Sequence, residues 1–402
     1  MADLDKLYRI ALDNAAAAKG YKRRYAYADL KAQLDLPSEG KKIISILSGL
    51  RGTGKTTLML QLFGECEDAF YFSADSIYAR TSSVYAIVEQ AIRQGYKTIF
   101  IDEIHKYPRW VDELKNIYDD FSIRLMCSGS STAALKKGSI VLGRRALDAT
   151  LHPLSLGEYI YLREGERYEA SLDAAMDKRR SLAWLSEHPK AEKHYQDYMR
   201  LGGFPAALSE KASVYKLVEK MIYEDALAEF SLSEKKIDVM ERLLGFLSLS
   251  RPGEFSYTSF SSMSGHAKSS VYEAVHLLSD LGLLRVVEEQ TPKSKAKMTI
   301  KILFSHPNLR TAFAQELMKE AEVGALREEY FLFHMGVLGF PLFIPKGMRK
   351  NPDYESILFG KNMLFEVGGP SKSGKQFSGR PGIVMDDEKL IVLGFVQKTD
   401  QK

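Results

Sequence analysis

The chain has 402 residues, 45% hydrophobic and 27% charged, with a net charge of +4 at neutral pH; this is a globular composition of about two to three domains, which excludes a chain disordered throughout. A pI near 8.7 falls short of the strongly basic footprint of a dedicated nucleic-acid binder, so any basic surface is local. No apolar run approaches the roughly 20 residues that cross a bilayer, and the start carries Asp3, Asp5 and Asp13 where a leader would be basic and then apolar.

These features predict a cytoplasmic protein with no membrane partner. Cys66 and Cys127 each lie in an apolar context without a second cysteine at ligand spacing, and the histidines form no H-x-x-x-H pair, so neither a disulfide framework nor a transition-metal site is expected.

In chain order, Leu4, Leu7, Tyr8, Ala11 and Leu12 form a helical stripe, followed by the basic cluster Lys22-Arg23-Arg24-Tyr25. From Lys42 to about Leu154, β-type runs alternate with helical patterns. The strands are Ile43–Leu47, Ala69–Phe72, Thr98–Ile101 and Ile123–Cys127, with amphipathic segments near 56–65, 82–95 and 109–120 between them. Such alternation predicts an α/β fold with a parallel sheet and helices on its faces.

Gly49, Leu50, Arg51, Gly52, Thr53, Gly54, Lys55 and Thr56 fit G-x-x-x-x-G-K-[ST], between the apolar strand ending at Leu47 and the helical run that starts at Thr57. Glycines let the loop turn its N–H groups toward a β-phosphate, and the helix N-terminus adds its positive dipole end. Lys55 is expected to reach the β/γ oxygens and the Thr56 hydroxyl to ligate Mg²⁺, which makes ATP and Mg²⁺ the expected cofactors.

The strand at 98–101 runs into Asp102-Glu103. A buried strand end disfavours acids unless they meet a cation, and a phosphate-bound Mg²⁺ supplies one. Asp102 is expected to hold the metal through its water shell, and Glu103 to polarise the water that attacks the γ-phosphate. A further strand ends in Ser128-Gly129-Ser130-Ser131.

Residues 155–235 read as helical and charged, with a turn at Gly202-Gly203-Phe204-Pro205. Then Ile237, Met240, Leu243, Leu244 and Leu247 mark a helix, Tyr257–Met263 a second and Lys268–Leu281 a third, before strands at Leu284–Glu288 and Met298–Phe304. Three helices and a β-ribbon are the order of a winged helix-turn-helix. Lys268, Ser269, Ser270 and Tyr272 on its third helix, with Lys293, Lys295, Lys297 and Lys301 on its wing, are the candidate DNA contacts, although Glu273, Glu288 and Glu289 dilute that face. The last unit reads as a helix to about 334 and strands at 340–344, 355–358, 362–367 and 389–396.

Arg24-Tyr25, the phosphate loop, the stretch from Ile101 through Trp110, Ser128 through Ser131, Leu142-Gly143-Arg144, Pro153 through Glu158 and the Gly-Gly-Phe-Pro turn together resemble a prokaryotic group of AAA-superfamily ATP-binding proteins. The resemblance implies an AAA-type P-loop sheet, then a helical and winged-helix part, then a small α+β domain of restriction-endonuclease-like fold. The corresponding boundaries are a helical lead-in at 1–40, the ATPase core at 41–160, a helical region at 161–235, the winged helix at 236–305 and the C-terminal domain at 306–402. It also implies a sensor role for Ser128 or Ser130, and a trans-acting arginine at Arg144, with Arg145 able to substitute, which requires a homo-oligomer.

A nuclease of that fold needs an Asp and a Glu at neighbouring strand ends and a Lys two residues after the Glu. Glu328, Asp353 and Glu366 are the candidate acids, but Gly368 occupies the lysine position, leaving Lys372 or Lys375 to come in from the following loop. That marks the site as degenerate. The expected function is therefore an ATP hydrolase associated with DNA. The alternatives are a nucleotide-dependent switch acting on a protein partner, and an ATP-gated metal-dependent nuclease. The paired Asp102-Glu103 and the appended winged helix count against a small-molecule kinase.

Overall fold

The computed structural model describes residues 3–36, 42–208, 213–226, 233–290, 299–346, 351–369 and 372–398. The chain folds as two compact units, Met1–His152 and Pro153–Lys402.

The first unit contains α1 (Leu4–Lys19), α2 (Tyr27–Asp35), β1 (Ile44–Ser48), α3 (Lys55–Phe63), β2 (Ala69–Ser73), α4 (Val84–Arg93), β3 (Thr98–Asp102), α5 (Trp110–Asp120), β4 (Arg124–Gly129), α6 (Thr132–Leu142) and β5 (Ala146–Thr150). The strands form a parallel sheet in the order β2-β3-β4-β1-β5. β1 and β3 are buried along their whole length, as strands covered on both faces must be.

Alternation along the strands divides the core in two. Ile44, Ile46, Ile99, Ile101, Leu125 and Cys127 face one layer with α4 and α5, while Leu47, Phe100 and Met126 face the other with α1, α2 and α3. The helices thus lie on both faces, as the alternating pattern predicts. The four expected strands are present, with ends shifted by about one residue. β5 adds a fifth strand to the four expected: it is an edge strand without a fully buried residue, so it lacks an apolar signature.

The second unit begins with α7 (Leu156–Glu164), α8 (Leu172–Met176), α9 (Lys178–Glu187) and α10 (Lys190–Asp197), then a π turn at Tyr198–Gly202, a 3-10 turn at Pro205–Leu208 and α11 (Val214–Lys220). Three helices follow, α12 (Glu234–Leu249), α13 (Tyr257–Ser264) and α14 (Lys268–Asp280), then the antiparallel ribbon β6 (Leu284–Glu288) and β7 (Ile300–Phe304). This is the element order expected from the sequence. The last part has α15 (Pro307–Glu316), α16 (Val323–Leu338), β8 (Tyr354–Leu358), β9 (Lys361–Val367), β10 (Gly382–Met385) and α17 (Asp387–Leu393), with sheet order β10-β9-β8.

Three expectations for this last part are corrected. The single helix to 334 is two helices, separated by the turn after Glu316. The run 340–344 is not a strand and makes only isolated bridges at Phe343 and Ile344. The run 389–396 is mainly helical: Asp386 caps α17 by accepting from Lys389 N, and Leu390 through Leu393 are all buried, so the apolar stretch carried no period to separate helix from strand.

Arg310 of α15 and Glu329 of α16 form a buried pair that ties this part to α12. Arg310 donates Nε and Nη2 to Glu329 Oε1 at 2.9 and 2.7 Å, and Nη1 to the carbonyls of Leu247 and Ser250. Among the described residues, no helix is long and apolar enough to cross a membrane.

Candidate functional site

The loop between β1 and α3 is built by three glycines with positive φ, Gly49 at 153°, Gly52 at 83° and Gly54 at 92°. A Cβ on Gly49 would stand 2.3 Å from Leu151 O, so only glycine permits that approach to the strand beside it. Thr53 closes the turn: its N–H and its hydroxyl both donate to Leu50 O, at 3.3 and 2.8 Å. Lys55, 5% exposed, opens α3 and lays its ammonium on Gly49 O at 2.8 Å and Leu50 O at 3.1 Å. The ammonium therefore lies against the first turn of the loop, beside the helix end whose dipole favours an anion.

Asp102 ends β3, 3% exposed, and collects three hydroxyls. Thr56 Oγ1 donates to Oδ2 at 2.7 Å, Tyr71 OH donates to the same oxygen at 2.8 Å, and Ser128 Oγ donates to Oδ1. Burial, and then the carboxylate beside it, push the Tyr71 hydroxyl well above its ordinary pKa, so it stays a proton donor. The Thr56 hydroxyl can turn a lone pair to Mg²⁺ while its proton stays on Asp102, which leaves that carboxylate to meet the ion through a bound water. These two residues fit the expected metal.

Glu103 follows with φ 52° and ψ 39°, a left-handed conformation that is unusual for a side chain of this size and directs it away from the strand. Its carboxylate accepts from Ser130 Oγ at 3.3 Å and lies 3.4 Å from His105 Nδ1. Gly129 makes room for that ring, because a Cβ there would meet His105 Nδ1 at 2.6 Å. The two candidate sensor hydroxyls thus have separate partners, Ser128 at the metal acid and Ser130 at the proposed base.

Arg144 is far from this cluster within its own chain. Ala146 of β5 pairs with Ile44 and Thr150 with Ser48, so Arg144 precedes the end of the sheet opposite the phosphate loop, and roughly 13 Å of strand separates the two ends. Arg145 is engaged with Asp119 at 3.3 Å.

In the second unit, Lys268 is exposed at the start of α14, while Lys293, Lys295 and Lys297 lie outside the described residues. Lys301 corrects the sequence reading. Instead of extending from a wing, its ammonium turns inward, 3.6 Å from Glu328 and 3.7 Å from Asp353.

The three acids of the expected nuclease site do come together, with lysines between them. Lys301 stands between Glu328 and Asp353, and Lys372 between Asp353, at 3.3 Å, and Glu366. Tyr354 OH donates to Glu328 Oε2 at 2.6 Å and Gln376 Nε2 to Glu366 Oε1 at 3.0 Å. Burial pushes both Glu328 and Glu366 above the usual carboxylate range, against the pull of the lysines. A row of alternating acids and ammonium groups does not fit a divalent cation, and among the described residues no metal-holding group of three or more His, Cys, Asp or Glu side chains is present.

Tyr71, His105 and Lys301 are site neighbours that the sequence reading did not assign to these places. Tyr71 belongs to a strand legible in the sequence, but its meeting with Asp102 depends on β2 lying beside β3.

The sheet order, the glycine loop running into α3 and the acid-ended strand beside it define a P-loop fold. Residues 41–160 match the AAA domain family AAA_14. Over these residues the chain carries an AAA-type P-loop domain. It is 26% identical over 417 aligned positions to the uncharacterized protein MJ1637 of Methanocaldococcus jannaschii, an alignment covering 92% of this chain and 86% of that protein. Solved structures similar to it include the Walker-type ATPase PABY2304 of Pyrococcus abyssi, with 11% identity, a TM-score of 0.43 and coverage of 70% of this chain and 94% of that one. Another is the Hsp104–ADP complex of S. cerevisiae, with 14% identity, a TM-score of 0.29 and coverage of 67% and 40% respectively.

Proposed function

We propose that the chain binds Mg–ATP in the loop ending at Lys55 and hydrolyses it. The observation that carries this is the convergence of Thr56 and Ser128 on Asp102, with Glu103 directed elsewhere, toward Ser130. Thr56 and Asp102 would hold Mg²⁺, which supplies positive charge to the β/γ oxygens. Lys55 leaves the Gly49 and Leu50 carbonyls for those oxygens, and the loop N–H groups cradle the β-phosphate. Glu103 orients the attacking water and accepts its proton. Steady-state ATPase assays test this: native protein turns over, Lys55→Ala loses nucleotide binding, and Glu103→Gln binds without turnover. Native protein that releases no phosphate from ATP defeats the reading.

We read Arg144 as serving a neighbouring copy, where its guanidinium would stabilise charge developing on the γ-phosphate. Mixing Arg144→Ala with Lys55→Ala protein tests this. A trans-acting arginine restores activity in mixed assemblies, because one interface then pairs an intact loop with an intact arginine; no recovery overturns it.

We read the work of the cycle as done on DNA. α12 to β7 form the winged helix, and α14 presents Lys268, Ser269, Tyr272 and His276 on its exposed face. Turnover is expected to rise with duplex DNA at low salt and the effect to fade as salt increases. A flat titration, together with a change in molecular size on adding ATP, would assign the output to a protein partner and the nucleotide-switch alternative. The acid–lysine row of the C-terminal part is read as a degenerate nuclease site with a structural role. Plasmid incubated with the protein, ATP and Mg²⁺ or Mn²⁺ is expected to stay intact, and nicking would refute this reading.

A further inference from the structure

The segment that leaves α1 is fastened at two points, to the far part of α3 and to the glycine loop. Gln61 of α3 donates Nε2 to Ala18 O at 3.1 Å and Tyr21 O at 2.9 Å. Arg24, 8% exposed, donates Nη1 to Thr53 O and Nη2 to His152 O at 2.9 Å. Thr53 belongs to the glycine loop, and His152 follows β5 and Leu151, the residue whose carbonyl lies against Gly49. One guanidinium therefore bridges the loop and the strand end that borders it.

The direction of the Thr53 bond matters because a trans peptide is planar and its C=O and N–H point opposite ways. With Thr53 O held toward Arg24, the Gly54 N–H points away from Arg24. Gly54 is also the N-cap of α3, at φ 92° and ψ 21°, so its flanking peptide has wide rotational freedom unless something pins it. A buried guanidinium is a strong pin, since it stays charged and offers several donors in a fixed plane.

We propose that Arg24 is a positioning residue for nucleotide binding, which fixes the Thr53–Gly54 peptide so that the Gly54 N–H is presented to the phosphates before they arrive. This rests on the ATP-binding reading above and adds to it a residue that lies outside the loop motif. Arg24 touches no reacting atom, so its loss acts on binding and leaves the chemical step alone. Pre-set donors bind an anion without the cost of ordering a mobile glycine peptide.

The test uses the full chain and ADP as the probe, with affinity measured by titration and turnover measured with ATP. The variants are Arg24→Gln, Arg24→Lys and, as a stability control, Gln61→Leu, which loosens the same segment without touching a loop carbonyl. Losing a charged hydrogen bond predicts that Arg24→Gln weakens ADP binding about tenfold or more and raises KM with kcat nearly unchanged. Arg24→Lys, which keeps the charge but loses the fork, falls between it and native protein, and Gln61→Leu keeps native affinity whatever its melting temperature. Native affinity in Arg24→Gln overturns the proposal, as does a loss of affinity in all three variants that tracks their melting temperatures. Native protein that binds no ADP, at concentrations where it is folded, overturns the ATP reading itself and this inference with it.

Discussion

Ser130 donates its hydroxyl to Glu103 across the ends of two neighbouring strands, at 3.3 Å, and so fixes the carboxylate that the proposed hydrolysis assigns to the attacking water. Glu103→Gln keeps the shape and loses the base, so kcat is expected to fall about 10²- to 10³-fold with ATP affinity within about twofold of native. Ser130→Ala removes one neutral hydrogen bond and is expected to lower kcat about fivefold. Single-turnover phosphate release measures both. Equal rates in native protein and Glu103→Gln would remove Glu103 from the chemistry.

Thr56 and Asp102, 2.7 Å apart, predict a metal-specific defect. Thr56→Val preserves size and removes the oxygen proposed to hold the metal. The Mg²⁺ concentration needed for tight nucleotide binding should rise about tenfold or more, while ADP affinity without Mg²⁺ stays near native. Titration of nucleotide at several Mg²⁺ concentrations reads this, and a uniform loss at all of them would show that Thr56 does not serve the metal.

Two buried histidines of the second unit make its stability acid-sensitive. Burial draws His334 down from 6.5 to about 4, and draws His306 well below its ordinary value, with His334 nearby adding to the shift. For a histidine whose folded pKa is depressed, the unfolded chain takes up protons first, so stability is complete above pH 6.5 and is lost as pH falls from there toward 4. His334 alone should cost about 1.4 kcal/mol between pH 7.5 and pH 5.5. Urea midpoints at the two pH values check it, and His334→Phe is expected to flatten the dependence.

Arg310 and Glu329, 2.7 Å apart in the interior, predict a non-additive pair. Burial pushes Glu329 up to about 7 even with Arg310 against it, so the carboxyl depends on that guanidinium for its charge. Arg310→Met should cost about 3–5 kcal/mol in urea unfolding, because it also strips the Leu247 and Ser250 carbonyls of their donor. Adding Glu329→Leu should recover much of that loss. A double variant as unstable as the sum of the singles would show that the two residues act independently.

The sequence by itself determined the phosphate loop, the acid pair and the strands around them, because each is a run of contiguous residues whose chemistry and period are local. Glycines at fixed offsets, an apolar strand ending in Asp102 and a helix opening at Lys55 need no knowledge of distant segments. Where local period was missing, the reading failed: β5 lacks an apolar signature, and the buried run at 389–396 reads equally as strand or helix. Tertiary structure alone decided which strands are neighbours, and therefore that Tyr71 and Ser128 meet at Asp102 and that Arg144 stands at the far end of the sheet. It also decided that Lys301 turns in between Glu328 and Asp353, and that Lys372, one of the two lysines expected from the following loop, reaches Asp353 and Glu366. Those placements follow from burying apolar faces across the whole chain, and no spacing along the chain records them.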